Sequence, residues 1–248
     1  MSQDEKKPNG DAIEIRPNGD NIDFTSESKL LRWWDNYWYH YKWHTIIGLF
    51  VVFLVVFCVV QTLNDPKEDT IVAYCGPFGF QTEEMEDLRE AMNRIMPKDF
   101  DGSGDKYTEI VRYQVFSEEE IENDRVANGG QGRINPAYNA KQFSDFNSFM
   151  SFGEVSVYFV SEYVYNTIRD RGMLRPLADA LGQVPEASYD EYAVRLKDTH
   201  YYAIEPALRM LPEDTLVCIT APYQLGTSSD PEMYDRSVQM FKAIVLGK

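Results

Sequence analysis

"EVSVYFVSEYVYNTIRDRG", residues 154–172, holds a strand and a helix back to back. The first seven residues are β-branched and aromatic, the composition of a buried strand. Ser161 then caps a helix that Gly172 closes. The same alternation recurs on either side of this stretch. "DTIVAYCG", from Asp69, is a short apolar run ending in Gly-Pro and reads as a buried strand. "TEEMEDLREAMNRIMP" follows as a helix, with Thr82 as cap, acids in the first turn and Pro97 as stop. Its apolar face is Met85, Leu88, Met92 and Ile95. "YTEIVRYQVF", 107–116, alternates and reads as a strand. "SEEEIENDRVA" begins a helix at Ser117, and a further helix is expected through Gln142, Phe146 and Phe149. "TLVCITA", 215–221, is a strand, and the last helix starts at Asp230 with Pro231 in its first turn. Strands alternating with helices predict an α/β domain of three layers with a largely parallel sheet.

Ahead of this domain the chain changes character. Thr45 to Leu63, "TIIGLFVVFLVVFCVVQTL", contains no Asp, Glu, Lys or Arg. Nineteen residues make roughly 29 Å of helix, about the thickness of a bilayer's hydrocarbon. The run starts far from the first residue, and "VVQTLNDP" after it lacks a small-residue cleavage pattern. An uncleaved single-span anchor is therefore expected. "RWWDNYWYHYKWHT", 32–45, puts seven aromatic rings just before the span. Trp and Tyr suit the headgroup level, where an apolar ring meets a polar tip. Trp33, Tyr37 and Tyr41 recur at helical spacing and are expected to stack on one face. With Trp34 and Trp38 they can anchor the helix, or dock another membrane protein. Lys29, Arg32 and Lys42 precede the span, whereas Lys67 after it is outnumbered by Asp65, Glu68 and Asp69. The positive-inside rule places the N-terminus in the cytoplasm and the C-terminal part outside the cell.

The expected organisation is a disordered cytoplasmic tail at 1–28, an aromatic juxtamembrane segment at 29–44, a transmembrane helix at 45–63 and an extracellular α/β domain at 64–248. The tail is polar and rich in Pro, Gly, Asn and Asp. Within it "PNGDAIEI", 8–15, is echoed by "PNGDNIDF", 17–24. Turn chemistry followed by alternating apolar residues suits a duplicated motif docked by strand addition, or else a solvated tail.

"EVSVYFVSEYVYNTIRDRGMLRPLADAL", 154–181, resembles a segment of the extracellular solute-binding proteins of ABC importers, where strand and helix lead into Gly-x-Leu-x-Pro-Leu. Here that pattern is Gly172, Leu174, Pro176 and Leu177. Together with "WYHYKWHT" before a span, the chain is similar to membrane-anchored proteins of clostridia-like Gram-positive bacteria. The resemblance implies one solute-binding lobe. Room for a second lobe is lacking, so it implies the fold and not the ligand.

The most site-like stretch is "DFDGSGDKYTEI", 99–110. Asp99, Asp101, Ser103 and Asp105 fall at positions 1, 3, 5 and 7 of an EF-hand-like loop, with Gly104 at position 6. Position 12 is Ile110, where a bidentate Glu belongs, and a strand follows instead of a helix. Calcium binding and an acidic surface turn both remain open. "GGQGR", 129–133, lacks the lysine and Ser/Thr of a phosphate-binding loop and reads as an ordinary loop. Cys75 and Cys218 each sit in a predicted strand; they can pair only if those strands are neighbours.

The net charge of −16 sets nucleic acid aside, since an acidic chain is repelled by phosphates. Three cysteines without CxxC spacing suggest neither a disulfide scaffold nor zinc. His200 is the one histidine after the span. HExxH and GxSxG are absent, and acidic pairs such as Asp190/Glu191 read as solvated faces. The expectation is a non-catalytic accessory or binding subunit of a membrane complex, with no cofactor beyond calcium. The alternative is a module capturing a small molecule or calcium.

Overall fold

A single charged side chain, Lys42, interrupts the residues from Tyr37 to Gln61. In the computed structural model, which describes residues 29–64, 68–153, 155–222 and 229–247, they lie in one helix, α1 (Lys29–Asn64). The chain divides into two units, Met1–Asp65 and Pro66–Lys248. Thirty-six residues make α1 about 54 Å long. Its segment Tyr37–Gln61 is long and apolar enough to cross a membrane. That segment begins earlier than Thr45 because the aromatic residues ahead of the run are interrupted by only one charge, Lys42. The expected juxtamembrane segment and span are thus one continuous element. The duplicated tail motif lies outside the described residues.

The second unit is built on a five-stranded sheet. Its elements are β1 (Thr70–Gly76), α2 (Thr82–Ile95), β2 (Thr108–Gln114), α3 (Glu118–Ala127), α4 (Pro136–Phe152), β3 (Val157–Val160), α5 (Glu162–Ile168), α6 (Leu177–Leu181), β4 (Ala193–Arg195), α7 (His200–Ile204), β5 (Leu216–Ile219) and α8 (Pro231–Leu246). The strand order is β2-β1-β3-β5-β4. β1, β3 and β5 are interior strands, and nearly every residue in them is buried. That explains their unbroken apolar runs. β2 lies at an edge, and its burial alternates as its sequence does.

Alternate residues feed two cores, one on each face. Val72, Tyr74, Phe159 and Val217 pack with Leu88 and Met92 of α2, Leu177 of α6 and Phe241 and Ile244 of α8. Cys75, Tyr158, Val160 and Cys218 pack with Phe146 and Met150 of α4 and Val164, Tyr165 and Ile168 of α5. The domain therefore has the expected three layers. Helix starts also follow the sequence. Ser117 accepts from the Glu120 N–H while Glu120 returns a bond to the Ser117 N–H at 2.7 Å. Ser161 and Asp230 cap α5 and α8. The α2 boundary differs by one residue. Gln81, not Thr82, is the cap position, and Glu84 Oε2 accepts from its N–H at 2.8 Å.

The sheet is mixed, which corrects the expectation of a largely parallel one. β1 is parallel to both β2 and β3, but β5 is antiparallel to β3 and to β4. Between β3 and β5 the chain does not make one crossover helix. It passes through α5, α6, β4 and α7 and re-enters the sheet from the other end. β4 has only three residues, too few for a periodicity to announce it.

Candidate functional site

β1 and β2 start side by side, with Thr70 opposite Thr108, so the residues before them meet at one rim of the sheet. Asp69 precedes β1 and is fully buried. A buried carboxylate needs hydrogen-bond donors. Its Oδ1 accepts from the N–H groups of Phe100 at 2.8 Å and Asp101 at 3.0 Å, and its Oδ2 from Tyr107 at 3.0 Å. Asp69 thus clasps the whole acidic loop that links α2 to β2. Asp99 works inside the loop. Its two oxygens accept from the N–H groups of Gly102 and Gly104, each at 2.8 Å. Both glycines have positive φ, 73° and 101°, which a side chain would oppose. Asp101 accepts from the Ser103 N–H at 2.8 Å. That bond, with the Ser103 hydroxyl, holds the Asp101 carboxyl below its ordinary range.

Of the four residues picked by loop spacing, two converge. Oxygens of Asp99 and Asp101 lie within 4.8 Å of each other and of an oxygen of Asp69. Asp105 is not in this group, and the Ser103 hydroxyl donates to the Asp105 carbonyl at 3.0 Å. The third carboxylate was missed because its donors lie 31 to 38 residues further on. The loop runs from a helix to a strand, as expected, so no EF-hand pair encloses it. Six backbone N–H groups already point at these three carboxylates, and those bonds account for the loop's shape. Lone pairs left over on the three could hold a hard cation such as Ca²⁺.

The other singled-out residues stand as follows. "GGQGR" continues from α3, and the N–H groups of Arg133 and Ile134 both donate to Asp124 Oδ2. A phosphate would have to displace that carboxylate. Cys75 and Cys218 are buried and unpaired. β3 separates their strands and their registers differ by two residues, so they stand more than two strand spacings, over about 9.6 Å, apart, beyond disulfide reach. Burial pushes both thiols well above their usual range. His200 is exposed and lies against Tyr201 and Gly247. Among the described residues it makes no ion pair.

On α1 the aromatic residues form the expected ladder. Trp33 stacks on Tyr37 with centroids 5.5 Å apart, and Tyr37 on Tyr41 at 5.4 Å. Trp34 and Trp38 form a second stack at 6.3 Å. The Tyr37 hydroxyl bonds Thr45 Oγ1 at 2.8 Å, tying the ladder to the apolar run. Trp33, Trp34, Trp38 and Tyr41 are all exposed.

The molecule is thus a three-layer α/β domain with a mixed sheet, in a chain that also carries a helix able to cross a membrane. No protein-family profile, curated protein or solved structure matches it.

Proposed function

We propose that this protein is a single-pass, non-catalytic accessory or binding subunit of a membrane complex. Its N-terminus faces the cytoplasm and its α/β domain, like one solute-binding lobe, faces outward. The supporting observation is the length of the aromatic ladder. Trp33 to Trp43 is eleven residues, a rise of about 15 Å along the helix axis. The headgroup layer on either side of a bilayer is only roughly 5–8 Å thick. Anchoring therefore occupies about half of the exposed rings, and a helix of another membrane protein is the natural cover for the rest.

Site-directed photo-crosslinking in native membranes tests this. A photoreactive residue replacing Trp38 should give one discrete protein adduct, and the same residue replacing Phe50 should label lipid. Lipid labelling at both positions would remove the partner.

A second reading is favoured by the convergence of Asp69, Asp99 and Asp101. In it the domain captures calcium, and the full-length protein in detergent melts higher with Ca²⁺ than with chelator. An unchanged melting temperature at about 1 mM Ca²⁺ discards it.

A further inference from the structure

The acidic loop occupies the rim where the parallel strands begin. The opposite rim holds the carboxyl end of the edge strand β2. A cavity of about 260 Å³ lies there, between the end of β2 and the entry to α4. Gln114, Phe116, Arg133, Ile134, Asn135 and Tyr138 line it.

Its wall is built before any ligand arrives. The Phe116 N–H donates to Asn139 Oδ1 at 2.8 Å, and Asn139 Nδ2 donates back to the Phe116 carbonyl at 3.0 Å. Asn135 turns its oxygen to the first turn of α4, accepting from Ala137 and Tyr138. Asp124 holds the incoming loop by the N–H groups of Arg133 and Ile134. The Arg133 guanidinium, the Asn135 NH2 and the Tyr138 hydroxyl are on exposed residues and make no hydrogen bond among the described residues.

The charge is the decisive feature. This chain carries 40 acidic residues against 24 basic ones, yet the cavity is lined by one arginine and no carboxylate; Asp124, behind the loop, is taken up by the Arg133 and Ile134 N–H groups. An arginine without a partner in so acidic a chain selects an anion, and its planar fork matches a carboxylate in bidentate fashion. Phe116, Ile134 and the Tyr138 ring ask for an apolar body beside that charge. The volume exceeds the roughly 150 Å³ that holds benzene and falls short of the roughly 300 Å³ of the smallest drug-sized pockets. We propose that this cavity binds a small carboxylate with an apolar body, of the size of a single-ring aromatic acid. The inference stands on the cavity and is independent of the accessory-subunit reading.

The probe is 4-fluorobenzoate, titrated by ¹⁹F NMR into the full-length protein in detergent micelles. Saturable binding is expected. Arg133→Gln should weaken it about tenfold or more, and the neutral analogue 4-fluorobenzamide should bind the parent protein equally poorly. Arg133 is exposed and its side chain holds no other element, so the variant should keep the parent's melting temperature. Tyr138→Ala, which removes a wall and leaves the cation, should also weaken binding. Micelle partitioning is the same for every variant and cancels. Three results would overturn the proposal: no saturable binding, undiminished binding to Arg133→Gln, or equal affinity for the amide. Competition by inorganic phosphate at the same concentration as benzoate would also overturn it, because the apolar walls would then contribute nothing.

Discussion

At the scale of single residues, Asp69 carries more of the structure than any residue that loop spacing picks out. It is a buried carboxylate satisfied by three backbone N–H groups, and among the described residues no cation pairs with it. Asp69→Ala would strand those three donors together. The expected cost is about 2–4 kcal/mol, read as a shift of the denaturant midpoint. A change under about 0.5 kcal/mol would mean that the loop re-forms its bonds without the clasp. A second long-range pair works in the same way. Glu205 is nearly buried and takes a two-toothed bond from Arg94 of α2, with Nη2 to Oε2 at 2.8 Å. That bond raises the Arg94 pKa and ties α2 to the turn after α7. Neither pairing can be read from its neighbourhood in sequence, since 111 residues separate Arg94 from Glu205.

At the scale of elements, legibility followed burial and caps. Ser117, Ser161 and Asp230 start helices where their side chains can reach the first free N–H groups, a contact spanning three residues. The interior strands announce themselves as apolar runs because both faces are covered. β4 does not, being three residues long. The sheet order decides the chemistry of the thiols. β3 stands between Cys75 and Cys218, and both side chains belong to the same core. Neither thiol should be alkylated in the folded protein at pH 8, while both react in denaturant; burial disfavours the thiolate that alkylation needs. Modification of either without denaturant would mean that the sheet opens locally. Phe159, on the other face of β3, is also buried. Phe159→Ala should cost about 3–5 kcal/mol by denaturant titration, because the cavity cannot collapse between α2 and α8.

At the scale of the whole molecule, the question is which side of a membrane each unit occupies. The cationic residues before the apolar run and the acidic ones after it set the expectation. A cysteine replacing exposed Ser103 should be labelled by an impermeant reagent on intact cells, and one replacing Asp20 should not. The reverse pattern would invert the protein and move any carboxylate ligand to the cytoplasm.

Features that act over a few residues are readable from the amino-acid order alone. They include the apolar stretch able to span a bilayer, the stacked ladder of Trp33, Tyr37 and Tyr41, the alternation of strands and helices, and most caps. Periodicity and capping are local physics, so local reading suffices. Long-range packing sets the antiparallel half of the sheet, the clasp of Asp69 on a loop more than thirty residues away and the separation of the two cysteines. It also sets the cavity where Arg133 meets the end of β2. Each of these depends on the path by which the chain returns to the sheet. That path is set by the burial of both faces at once, not by any short stretch of residues.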